Sequence, residues 1–95
     1  MNTKYIEHEI SKIIEYMRCL WVIDDDVESL NTTIAFLDSI DIDFTTDEAL
    51  KIILLQIKTN LEKLNIHPDE EGEWINLKSL VIKDLDKLIE DGKFK

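Results

Sequence analysis

Glycine and proline are scarce in this chain, with two glycines (Gly72, Gly92) and one proline (Pro68) among 95 residues. An all-β protein needs turn residues at every reversal, so the scarcity excludes that class. Cysteine occurs once, as Cys19, which excludes an internal disulfide framework. Lying in an apolar helical stretch, it reads as a half-buried passive thiol. No apolar run approaches the roughly 18–20 residues needed to cross a bilayer. Charges are mixed through the apolar positions of residues 1–14, against the pattern of a signal peptide. A cytoplasmic protein is therefore the expectation. No basic face is visible for phosphate contacts, which argues against direct nucleic-acid binding.

What is present is apolar and acidic. The chain is 44% hydrophobic, enough for one helical domain over residues 1–95 and too much for intrinsic disorder. The net charge of −10 comes almost entirely from one segment. Residues 24–48 hold nine acids (Asp24, Asp25, Asp26, Glu28, Asp38, Asp41, Asp43, Asp47, Glu48) and no Lys or Arg.

Apolar spacing predicts four helices, over about residues 3–23, 26–40, 46–64 and 72–91. Ile6, Ile10, Ile13, Ile14, Met17, Leu20 and Trp21 share one side of the first. Val27, Leu30, Ile34 and Leu37 form the stripe of the second, Leu50, Ile53, Leu54, Ile57, Leu61 and Leu64 that of the third. Trp74, Leu77, Val81, Leu85 and Leu88 form that of the fourth. Thr45 with Glu48 makes a capping-box pattern, with Phe44 placed to staple the helix entry. Asn65, Ile66 and Pro68 suit a helix stop, Asn65 by tolerating the left-handed conformation. Asp69, Glu70, Glu71 and Glu73 favour the start of the last helix, and Gly92 suits its C-terminal cap.

The course of the chain at Asp24–Asp26 admits two outcomes. Three aspartates are poor helix formers, and Asp25 with Glu28 suits a new cap. A break there yields an antiparallel bundle of four helices. Yet a heptad runs through the same point, with Ile6, Ile13, Leu20, Val27 and Ile34 at one position. Glu9, Tyr16, Ile23, Leu30 and Leu37 occupy its partner position, the pattern of a coiled coil. A fused helix over residues 3–40 would be about 57 Å long. It would make a three-helix coiled-coil-like arrangement whose seam asks for a homodimer.

Candidate chemistry is thin. A calcium loop starting at Asp41 fails because Thr46 stands where glycine is required and Ile52 where the bidentate glutamate belongs. Neither His8 nor His67 follows a glutamate by three residues, so no Glu-x-x-His metal pair exists. His8 reads as a surface residue and His67 as a capping residue in a turn. The cluster Glu70, Glu71, Glu73 lacks the second acidic pair that a helical nucleotide pyrophosphatase uses for magnesium. Cys19 has no histidine near it in sequence, and no glycine-rich phosphate loop occurs. The expectation is a protein without catalytic, cofactor or metal residues, and not an enzyme.

Two surfaces stand out instead. In the second helix Ser29, Thr32, Thr33, Phe36 and Ile40 form an uncharged strip between acidic ends. In the third, Ile52 and Leu55 lie opposite the main stripe, which suits either extra core contact or an outside partner. An uncharged centre with an acidic rim fits recognition of a basic partner protein. The candidate contact residues are Asp24, Asp25, Asp26, Glu28, Thr32, Phe36, Asp38, Asp41 and Asp43. Size, charge and helicity give the chain a likeness of type to bacteriocin immunity proteins, antitoxins and phage or mobile-element inhibitors. That likeness transfers no residues. DNA mimicry, with carboxylates standing in for phosphates, is a specialised form of the same expectation. The alternative, resting on the heptad, is a homo-oligomeric structural or adaptor protein.

Overall fold

A computed structural model describes residues 3–68 and 72–90. Four helices follow one another: α1 (Thr3–Arg18), α2 (Val27–Asp38), α3 (Asp47–Lys63) and α4 (Glu73–Glu90). Each packs on its sequence neighbours, and α4 closes the ring against α1. The result is an all-α four-helix bundle. Its core holds most of the expected stripes, with Ile6, Ile13, Met17, Leu50, Leu54, Ile57, Leu61, Val81 and Leu85 essentially inaccessible, while Trp21 and Val27 are exposed. Burying each such side chain contributes about 1.5–3 kcal/mol. Among the described residues the one buried polar side chain is Thr33, whose hydroxyl donates to the Ser29 carbonyl at 2.8 Å.

The fused helix does not form, and the largest dimension of the molecule, 41 Å, is shorter than that rod would be. The break also lies earlier than the aspartates. Helix α1 stops at Arg18, and its last turn tightens as Cys19 and Leu20 donate to the carbonyls of Tyr16 and Met17. Trp21 to Ile23 then run extended, which suits the β-branched pair Val22–Ile23. Val22 forms an antiparallel bridge with Ile66. Ile23 N–H donates to the Asn65 carbonyl at 3.0 Å and His67 N–H to the Trp21 carbonyl at 2.8 Å. Heptad counting misses this because it weighs side-chain spacing alone, while the bridge is made by backbone groups distant in sequence. Of the heptad sites after the break, Val27 is exposed, whereas Leu30, Ile34 and Leu37 face the chain's own core.

Asp24–Asp26 form a short 3-10 turn that leads into α2. The expected cap by Asp25 and Glu28 is not made, because the N-cap is Asp26 and its side chain points elsewhere. Its carboxylate accepts from the Asn65 backbone N–H at 2.6 Å. Nearby, the Trp21 ring stacks on His67 with centroids 4.3 Å apart, and Trp74 meets Trp21 edge-on at 6.1 Å. His67 is thus a packing residue more than a cap, although its Nδ1 also lies 3.0 Å from the Pro68 carbonyl. Lys78 reaches across from α4 and donates to the Leu64 carbonyl at 2.8 Å, satisfying the end of α3. Bridge, carboxylate, ring stack and lysine together tie the two connections at this end of the bundle.

Other local details depart from expectation. The cap of α3 is Thr46, whose hydroxyl accepts from Ala49 N–H at 3.1 Å. The box pattern is therefore out of phase by one residue, and Thr45 instead donates to the Asp41 carbonyl. Phe44 sits one place too early to staple and is 88% exposed. Helix α3 ends without a left-handed residue: Leu64 is extended, and no described non-glycine residue has positive φ. Asn65 instead flanks the bridge, its N–H donating to the Asp26 carboxylate and its carbonyl accepting from Ile23 N–H. Gly72 does adopt φ +70 before α4, a conformation that favours glycine. Cys19 is exposed, since α1 ends just before it. The expected roles of Asp69, Glu70, Glu71 and Gly92 lie outside the described residues.

Candidate partner-binding face

Helix α2 and its two flanking turns carry the lysine-free segment up to its last two acids, Asp47 and Glu48, which begin α3. Of its nine acids, seven are exposed, and Asp26 and Asp47 are half-buried. Few are neutralised. Asp38 lies 4.0 Å from the Arg18 guanidinium, both largely exposed, a distance at which attraction is weak. Asp41 uses one carboxylate oxygen to accept from Asp43 N–H at 3.2 Å. The remaining strong ion pairs lie elsewhere. Lys12 pairs with Glu9 at 3.0 Å, and Lys58 pairs with Asp86 between α3 and α4. The Lys12 hydrogen bond holds the Glu9 carboxyl below its ordinary range, and the same bond raises Lys12. Lys58 is raised by its hydrogen bond to Asp86.

The charge on α2 is not arranged for helix stability alone. Asp24, Asp25, Asp26 and Glu28 suit the positive N-terminal end. Asp38 occupies the last turn, where α2 itself has no basic residue and the helix carbonyls already present negative charge. A stretch that works against its own helix in this way is often shaped by something other than folding.

The nine candidate contact residues do not form one site. At about 100° per residue, Phe36 and Asp38 point to opposite flanks of α2. Asp25, Asp26, Glu28 and Thr32 line a groove of about 440 Å³ between α2 and α3, together with Ser29, Thr33, Asn60 and Lys63. Phe36, 47% exposed, lies on the same side of α2 as Ser29, Thr32 and Thr33. Asp38 and Asp41 instead line a cleft of about 460 Å³ between α1 and α2, with Glu7, Ser11 and an apolar floor of Ile10, Ile14 and Leu37. Asp24 and Asp43 are exposed in their turns and line neither.

Sequence reasoning missed Glu7, Ser11, Asn60 and Lys63 because each joins a site only through the pairing of helices. Their own surroundings in the chain carry no signal. Ile52 and Leu55 are 67% and 47% exposed, so they do not supply extra core contact. The reason is angular: the ring of helices covers only the Leu50–Leu61 side of α3. Among the described residues no three His, Cys, Asp or Glu side chains converge as a metal-ligand set. No helix among them is long and apolar enough to cross a membrane.

No known protein family, characterised protein or solved structure matches this chain.

Proposed function

We propose that this chain is a non-enzymatic protein that binds a basic partner protein through α2 and its flanking turns, and inhibits or neutralises that partner by covering its surface. The supporting observation is the lysine-free segment itself, seven of whose nine carboxylates are exposed, with only Asp38 in an ion pair among the described residues, and which also carries the half-exposed Phe36. Exposed like charges steer a positive partner into encounter and raise the association rate, while an aromatic residue supplies desolvated contact. The mode of action is that of immunity proteins, antitoxins and phage-encoded inhibitors, acting in the cytoplasm. Where the partner binds nucleic acid, the carboxylates stand in for phosphates. Self-association through the heptad loses its main support, since most of those positions face the chain's own core.

Capture on the immobilised chain followed by mass spectrometry, with a salt series, identifies the partner. The decisive step compares the parent with the variant Asp24→Lys/Asp25→Lys/Glu28→Lys, which spares the structural Asp26. The variant is expected to keep its helical circular dichroism and to lose about tenfold in association rate at low salt. An unchanged rate and affinity for the captured partner would overturn the assignment.

A further inference from the structure

The groove between α2 and α3 is chemically graded along its length. At one end three acids, Asp25, Asp26 and Glu28, outnumber the single cation Lys63, and Asp25 and Glu28 are exposed with neither in an ion pair among the described residues. The middle is uncharged: Ser29 and Thr32 on α2 face Asn60 on α3, whose amide oxygen accepts from Gln56 at 2.9 Å. Helix α3 runs antiparallel to α2, because its C-terminal residues Asn60 and Lys63 lie beside the start of α2. The far end therefore brings the last turns of α2 alongside the first half of α3. By helical spacing Phe36 and Ile52, 47% and 67% exposed, continue the two outer rows toward that end, beyond the residues that line the groove itself. On each helix the positions follow at helical spacing, Ser29–Thr32–Phe36 on one and Lys63–Asn60–Gln56–Ile52 on the other.

From this gradient we infer that the groove receives an amphipathic helix of the partner protein, with cationic residues seated by Asp25 and Glu28 and an apolar anchor against Phe36 and Ile52. The inference rests on the proposed function and adds the form of the partner's binding element. A helix fits because a pair of helices offers a groove for side-chain ridges and no free backbone ladder for an extended peptide. The occupant is foreign, because a second copy would bring an equally acidic groove against this one. Eight to eleven residues separate Glu28 and Asp25 from Phe36, about 12–17 Å along the axis. The partner helix carries its basic and apolar groups at that same separation.

The test titrates the isotope-labelled full chain with synthetic helical peptides of about 18 residues and identical composition, followed by amide NMR. One peptide places an arginine pair and a Leu–Phe anchor at the matched separation, one at half of it, and a third carries the arginines with the anchor scattered. The matched peptide is expected to bind about tenfold more tightly than the others. Its shifts should run from Glu28 to Phe36 and from Asn60 to Ile52. Phe36→Ala and Glu28→Lys, both at exposed positions, should each abolish that preference while circular dichroism stays unchanged. Equal binding of all three peptides overturns the groove assignment and leaves the wider proposal standing. Absence of binding by every arginine peptide at low salt defeats both. Concentration-dependent shifts at Phe36 and Ile52 without peptide, removed by Phe36→Ala, would give the groove to a second copy and overturn the inference.

Discussion

Replacing Asp26 with alanine separates one structural aspartate from two that serve the surface. All three sit in one 3-10 turn and share one net charge, yet only Asp26 is half-buried and bonded across the fold, to Asn65 N–H at 2.6 Å. A hydrogen bond to a charged group contributes about 1.5–3 kcal/mol, and partial exposure reduces this to about 1–2 kcal/mol. The bond also flanks the Val22–Ile66 bridge, so its loss leaves the Asn65 N–H without its carboxylate acceptor at that connection. For a chain of this size a loss of about 1–2 kcal/mol lowers the melting temperature by roughly 5–10 °C. Asp24→Ala and Asp25→Ala change only exposed groups and should stay within about 0.5 kcal/mol of the parent. Asp26→Asn keeps an acceptor without the charge and should fall between. The assay is thermal unfolding followed by circular dichroism, with the four variants side by side in one buffer. Equal melting temperatures for Asp25→Ala and Asp26→Ala would refute the reasoning, because sequence position alone would then account for the effect.

Two further outcomes follow from local geometry. Thr46→Ala should cost about 1 kcal/mol in urea unfolding through loss of the α3 cap, and more than Thr45→Ala, whose hydroxyl bonds only within an exposed turn. The Glu9–Lys12 pair should show coupling in a double-mutant cycle at neutral pH, of no more than about 1 kcal/mol because both side chains are partly exposed. Since Glu9 is lowered by Lys12, that coupling is present above the ordinary glutamate range and disappears as pH falls through the lowered Glu9 value. Since Lys12 is raised by Glu9, it also disappears as pH rises through the raised lysine value. Coupling that persists in strong acid would contradict the pairing.

Much of the fold was legible in the residues because helices are local. Leu50, Leu54, Ile57 and Leu61 of the α3 stripe are buried as their spacing requires, and the ends of α2 and α3 lie close to the expected bounds. Capping was less legible. Thr45 and Thr46 are adjacent candidates, and which one caps depends on the turn at Ile42–Phe44 that delivers the chain. The acidic face was legible as composition, while its division was not. Glu28 and Asp38 belong to one helix, but the neighbours α3 and α1 assign them to different grooves.

By itself the sequence determined an all-helical chain with one acidic, lysine-free segment, because apolar periodicity and charge are properties of residues in order. Only the tertiary structure decided where α1 stops and how the acids are divided. The stop at Arg18 depends on Val22 meeting Ile66, a backbone pairing across more than forty residues. The groove depends on Glu28 and Thr32 of α2 lying beside Asn60 and Lys63 of α3. Such meetings of distant segments have no local spacing to announce them. They arise when four amphipathic stripes close on one core and leave particular flanks facing one another.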